Sequence, residues 1–383
     1  SSVTFTTDGY AQISLKEEIE GVSVQNNVLS VGEAVAENTQ ITVVVTSTLN
    51  GNVTKEITFT VIRAYENVTI ENELDFSLEN ENSSVKATID GNIERIVVDT
   101  IEVRDGVEYN DGTLTLTKTA LTALLNGKSY AENLTINIYT STDKKYAATI
   151  NIATKIISSY EDLNSIRTTG DTLDGYYVLG QSFVAGNETA MDRLIGTWSS
   201  DKSKGFIGIL DGRGYSITGL KLKKEGLFWC MGQSIVRNLA LIDVEIADNG
   251  PAVFVASDCQ STRFENVFVS SNAKAMFNCA YGNITVKNVV FVSSYADGGY
   301  VFKEGNNNGN GSCSFENVML VGKNLFSYYG GTVAQNNTVV YESVAKMFEA
   351  LSAENILQNW GDITYKDGAI YFGNSIVIQN TAD

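Results

Sequence analysis

Between Gly212 and Tyr341 one short phrase recurs six times, and it constrains this chain more than any other feature. Each copy holds an apolar residue, a spacer, Gly or Asn, and then an apolar-x-apolar triplet. The copies read Ile217-Thr218-Gly219-Leu220-Lys221-Leu222, Val236-Arg237-Asn238-Leu239-Ala240-Leu241 and Phe264-Glu265-Asn266-Val267-Phe268-Val269. Val286-Lys287-Asn288-Val289-Val290-Phe291 and Phe315-Glu316-Asn317-Val318-Met319-Leu320 follow, and Gln335-Asn336-Asn337-Thr338-Val339-Val340 is a worn last copy. Strand side chains alternate between faces. The apolar residue two before the Asn and the apolar residues one and three after it have opposite parity. A straight strand cannot point both sets into one core. A corner at the Asn can, because one residue in the left-handed region turns the chain and resets the parity. Asn and Gly enter that region at the least cost. A run of unrelated hairpins would not explain why the same two residue types hold that position.

The corner positions, 219, 238, 266, 288, 317 and 337, are separated by 19, 28, 22, 29 and 20 residues. A period near twenty is the mark of a solenoid, with extra residues placed in loops on one face. A second ladder precedes the corners: Leu227-Phe228, Val253-Phe254, Met276-Phe277, Val301-Phe302 and Leu325-Phe326. It predicts a Phe stacked inside five successive coils of a right-handed parallel β-helix.

The phrase from Phe206 to Leu220, with Gly226-Leu227-Phe228 and Ile235-Val236-Arg237-Asn238-Leu239, resembles the start of GLUG-type and pectate-lyase-like β-helix domains of bacterial surface proteins. The lead-in Tyr160-Glu161-Asp162-Leu163 and Gly175-Tyr176-Tyr177-Val178-Leu179 is similar to theirs as well. The resemblance covers roughly residues 156–375. It speaks to fold far more than to activity.

Composition removes several function classes. The formal net charge of −18 disfavours nucleic acid and anionic membrane surfaces as partners. Apolar residues at 43% support packed cores, and no apolar run approaches the ~18 residues of a membrane helix. The chain starts Ser-Ser without Met, so an upstream segment is expected to have been removed. Histidine is absent, which excludes Ser-His and Cys-His nucleophile pairs and the commonest metal ligand. Cys230, Cys259, Cys279 and Cys313 form no CxxC pair, so neither a structural zinc nor any other cofactor is expected. Three of them follow the Phe ladder and are expected to neighbour one another as small buried thiols, with a disulfide between coils as the alternative.

Upstream, residues 1–63 read as short alternating strands with a tight-turn signal at Asn50-Gly51. Residues 64–156 read as further strands with one helix, Lys118–Leu125, ended by Asn126-Gly127. Both stretches resemble immunoglobulin-like β-sandwich modules, the first of them short, and a spacer role follows from the resemblance. Residues 157–383 are then the β-helix. Ser158-Ser159-Tyr160-Glu161 is a capping-box sequence opening a lid helix. A helical run at 342–351 and a hairpin across Lys366-Asp367-Gly368 are expected to close the far end.

Enzymes built on β-helices work with carboxylate clusters and a basic residue. The candidates here are Asp211, Asp243, Asp248 and Asp258 with Arg213, Arg237 and Arg263. Sequence spacing does not place any pair on one face, and no alternating-Asp Ca²⁺ loop is present. A binding face is the stronger expectation. Trp229, Tyr281, Tyr300, Tyr328 and Tyr329, with Tyr295, cluster around the Phe ladder and the loops after it, Trp198 sits in the insertion before the first coil, and exposed rings stack on sugar faces. The polar loop Gly305–Gly311 is expected to be an exposed insertion, with the rim of a site as the alternative. The reading is an all-β, extracellular or cell-surface bacterial protein, adhesin-like and non-catalytic, whose β-helix binds a glycan or a host or bacterial surface protein. A polysaccharide lyase or glycoside hydrolase is the first alternative, and a phage tail or fibre component the second.

Overall fold

Left-handed corners organise the structure. In the computed structural model, Asn238, Asn266, Asn288, Asn317 and Asn337 all have φ between 49° and 56°. The structure describes residues 1–7, 9–51, 53–166, 173–186, 195, 205–223, 226–247, 252–278, 280–295, 297–302, 311–326 and 332–380, with the backbone alone at 255–260, 280–282, 302 and 311. The described chain is mostly β.

The six long strands Ile209–Thr218, Ile235–Ile246, Arg263–Ser271, Ala280–Ser293, Gly311–Val321 and Thr332–Tyr341 stack in that order. Each pairs parallel with the next, in register on both sides of the corner. Leu210, Val236, Phe264, Val286 and Phe315 form one interior column, and Leu239, Val267, Val289 and Val318 form another. All are at most 1% exposed, so each contributes about 1.5–3 kcal/mol of burial. The corner amides bond along the stack: Asn266 Nδ2 donates to Asn238 Oδ1 at 2.9 Å, and Asn317 and Asn337 donate to Asn288 and Asn317 at 2.8 Å.

The first copy of the phrase is not where its residues suggest. Ile217 stands beside Leu241, after the corner, rather than before it. Gly219 follows the Thr218–Ile242 pair and so matches Asp243, itself left-handed at φ 52°. The corner of this strand is Gly212-Arg213-Gly214, where the register shifts and Arg213 has φ 51°. Three residues do here what a single Asn does below.

The Phe ladder is also not one column. Phe228 pairs with Val255, while Phe277 continues through Phe302 and Phe326. Phe254 turns to Phe264 with ring centroids 5.3 Å apart, and Phe264 stacks on Phe277 at 5.1 Å. Cys230 and Cys313 are buried. Cys259 pairs with Met231, one place off Cys230, and Cys279 lies outside the described residues.

The last segment covers a flank of the stack instead of plugging its end. Ala240, Phe268, Val290 and Met319 point outward from the post-corner arms, yet are 0% exposed. They pack with Met347, Phe348 and Leu351 of helix Val344–Ala353 and with Trp360, Ile363, Ile370 and Phe372. The last three belong to an antiparallel sheet of Ile363–Lys366, Ala369–Phe372 and Ser375–Gln379. Its first turn uses Asp367 and Gly368, both left-handed, as a tight hairpin requires. Asp362 ties the segment to a corner, its backbone N–H donating to Asn266 Oδ1 at 2.9 Å.

The chain divides into two compact units. One comprises Ser1–Thr69, Ile89–Arg95 and Asn137–Ala147. It holds two three-stranded antiparallel sheets around Ile13, Leu29, Ile41 and Val43. The other comprises Ile70–Thr88, Ile96–Ile136 and Ala148–Asp383. Besides the stack it contains helix Lys118–Leu125, capped by Thr117 and ended by left-handed Asn126. Strand Leu74–Ser77 runs parallel to Ile150–Ala153. Helix Tyr160–Ser165 opens on Ser159, whose Oγ accepts from Asp162 N at 3.2 Å, and buries Leu163 in the stack interior. No helix among the described residues is long and apolar enough to cross a membrane.

Candidate functional site

Aromatic side chains form no continuous outer column among the described residues. Trp198, Tyr328 and Tyr329 lie outside them, as do Asp248 and residues 303–310, and Tyr281 and Asp258 are described by backbone only. Trp229 is half-buried, and its Nε1 is enclosed with no hydrogen-bond partner among the described residues. Tyr300 is half-exposed between Ala275 and Asn324. Trp229 follows the Phe228–Val255–Phe277 column by one place, whereas Tyr300 precedes Phe302 by two, so the register gives them different columns. Lys274 Nζ sits 5.0 Å from the centre of the Tyr295 ring.

Charged candidates do converge. Asp211, Arg213 and Arg237 line a cleft of about 380 Å³ with Glu73, Asp75, Glu132, Asn133, Asn151, Tyr176 and Asn238. Asp211 lies just before the three-residue corner and is 4% exposed. Its Oδ1 accepts from Arg213 N at 2.9 Å and from Asn238 Nδ2 at 3.1 Å, and its Oδ2 accepts from Arg237 Nε at 2.7 Å. Those three donors meet the cost of burying a carboxylate. Arg237 donates its other arm to Glu132, and Arg213 pairs with Asp75. Asn151, 3% exposed, accepts from Asn133 N at 2.9 Å and donates to Glu73 Oε2 at 2.9 Å and Asp75 Oδ1 at 3.0 Å.

Tyr176 forms the floor. Its hydroxyl accepts from Arg213 Nη2 at 3.3 Å, and its ring lies 5.6 Å from that of Tyr130. Burial pushes the Tyr176 hydroxyl above the ordinary tyrosine range, although Arg213 pulls the other way. Burial disfavours the two guanidinium cations, but their partners outweigh it. Tyr176 and Asp75 hold Arg213 above its usual value, and Asp211 and Glu132 do the same for Arg237. The cleft is therefore a fixed set of planar donors and acceptors. Four carboxylates against two guanidiniums leave it acidic.

Arg263 and Asp243 lie elsewhere. Arg263 pairs with Glu265, and Asp243 belongs to a groove with Glu245, Ser270 and Asn272. Glu73, Asp75, Glu132 and Asn151 were not singled out from sequence. Glu132 and Asp75 stand 105 and 138 positions from the arginines they meet, and no local motif marks them.

No family model matches the chain. No curated protein matches it. A solved structure of SGBP-B from the Bacteroides ovatus mixed-linkage glucan utilization locus, in complex with a mixed-linkage heptasaccharide, is similar at 12% identity. The match covers 42% of this chain and 43% of that one, with a TM-score of 0.17. The chain thus spans under half of that protein, and a likeness of this size carries no argument about site or ligand.

Proposed function

We propose that this is an extracellular bacterial surface protein that binds a neutral glycan, without catalysis, in the cleft around Asp211 and Arg237. In this reading residues 1–63 and 64–156 are immunoglobulin-like units, and residues 157–383 are a right-handed parallel β-helix. The observation that carries the reading is the state of the cleft's charges. Asp211, Asp75 and Glu132 are each held by a guanidinium. Groups fixed in this way accept and donate hydrogen bonds to sugar hydroxyls with little reorganisation. The half-buried Tyr130 ring beside Tyr176 supplies an apolar surface of the kind a sugar face covers. The surplus of carboxylates disfavours uronate-rich glycans and favours neutral ones. Trp229 and Tyr300, with Trp198, Tyr281, Tyr328 and Tyr329, are proposed as further contacts for an extended chain.

The lyase or glycosidase reading draws on the same convergence of carboxylates and arginines. A panel of neutral and uronate glycans presented to the intact chain, followed by incubation with each ligand found, separates the two. Binding of neutral glycans without cleavage products is expected. Cleavage would transfer the cleft to the enzyme reading. Preference for uronates would overturn the assignment of ligand class.

A further inference from the structure

The stack ends in an open strand. Among the described residues, Thr332–Tyr341 pairs on one side only, with Gly311–Val321. It is ten residues long and contains no charged side chain, in a chain with a formal net charge of −18. Edge strands of soluble proteins are normally blunted by charges, proline or a bulge, because an unpaired row of N–H and C=O groups recruits another strand. This edge has none of these. The long columns inside the stack end here at Val333, Gln335, Thr338 and Val340. Their counterparts one strand earlier, Cys313, Phe315, Val318 and Leu320, are at most 1% exposed, whereas Val340 is 40% exposed.

These four positions are symmetric about the point between Asn336 and Asn337, half a residue before the corner. Read from either end, the interior face of the strand runs apolar, polar, polar, apolar, with left-handed Asn337 close to the middle. We infer that a second copy of this chain seats on this edge, antiparallel, across a two-fold axis between Asn336 and Asn337. Opposite residues of an antiparallel pair share a face. Val340 then meets Val333 of the partner subunit, and Thr338 meets the partner's Gln335. The outward Val339 meets the partner's Ala334. Interior positions face interior positions throughout, so the two cores run on end to end. Such self-matching is what an isologous contact requires. Charge does not bar a second copy at this edge. Two chains this acidic repel one another, and an uncharged strand lets them approach without opposing carboxylates directly. The polar pair Gln335 and Thr338 keeps the end compatible with water, so the association is reversible.

Sedimentation velocity on the intact chain over a wide concentration range tests this. The expected result is a concentration-dependent species of twice the 41.5 kDa chain mass. Val340→Lys brings a cation against an apolar column in both protomers and should weaken the dimer roughly tenfold or more, at unchanged melting temperature. Val184→Lys, at a site already 74% exposed, should leave it intact. A monomer at every concentration, a trimer, or a dimer indifferent to Val340→Lys would each overturn the inference.

Discussion

Each turn of the stack has an arm before its corner and an arm after it, and the two treat their outer faces in opposite ways. Their inner columns are alike, apolar and sealed. Outside the pre-corner arm the ladder reads Asp211, Arg237, Glu265, Lys287, Glu316 and Asn336, so charge alternates until the last position. Outside the post-corner arm it reads Ala240, Phe268, Val290, Met319 and Val339, and the C-terminal segment covers it. One side is stabilised by burial. The other gains little net stability from its ion pairs but disfavours a stack that slips by one strand, because like charges would then adjoin. The cleft arises where the charged ladder begins, with Asp211 and Arg237 as its first two members.

Perturbing the arms should therefore give very different losses. Phe268→Ala opens a cavity beneath the C-terminal segment and is expected to cost about 3–5 kcal/mol by denaturant unfolding. A loss below about 1 kcal/mol would mean that the segment is only loosely seated. At the corner itself, Asn266→Ala places a Cβ-bearing residue with no amide at φ 56°. It also removes bonds to Asn238 and Asp362, and the expected cost is about 2–4 kcal/mol. Asn266→Gly should recover the backbone part of that loss, and equal costs for the two variants would deny the role of backbone conformation. On the charged ladder, Lys287→Ala breaks a half-exposed pair with Glu316 at 2.9 Å and should cost less than about 1 kcal/mol, shrinking further in high salt.

The smallest effect is a pH slope. Burial raises the hydroxyl pKa of Tyr176 and of Tyr130. The folded state therefore holds those protons more tightly than the unfolded state, where tyrosine titrates near 10. The associated stability is complete below about pH 10 and is lost as pH rises through the folded values. Tyr176→Phe should flatten the alkaline fall in stability, and an unchanged slope would remove Tyr176 as a contributor.

Much of this was legible in the chain. A left-handed corner restricts residue type, so Asn238 through Asn337 declared themselves, as did the turn at Asp367-Gly368, whereas the helix cap falls on Ser159 with Asp162, one residue later than the box from Ser158 to Glu161 places it. Gly219 misled because the corner above it is three residues long, and glycine marks both kinds of corner equally well. The C-terminal segment was legible as helix and hairpin, but nothing local says whether such elements plug an end or cover a flank. That depended on Phe268 and Met319, which read as spacers between interior residues. Of the cleft, Asp211, Arg213 and Arg237 could be named as charged groups near a corner. Their partners are on strands far away in sequence, so the pairing that defines the site had no one-dimensional signature.

The central claim is that the cleft binds and does not cut. Calorimetric titration of the best neutral oligosaccharide into wild-type protein and into Asn151→Ala tests it most directly, with product analysis of the same samples. Asn151 donates to Glu73 and to Asp75 Oδ1 and is itself buried, so its loss releases Glu73 and one oxygen of Asp75 while the Arg213–Asp75 and Arg237–Asp211 pairs stay in place. The account predicts binding weakened roughly tenfold or more, an unaltered fold by circular dichroism, and no shortened sugar in either sample. Unchanged affinity in a folded Asn151→Ala protein, or any cleavage product, would contradict it.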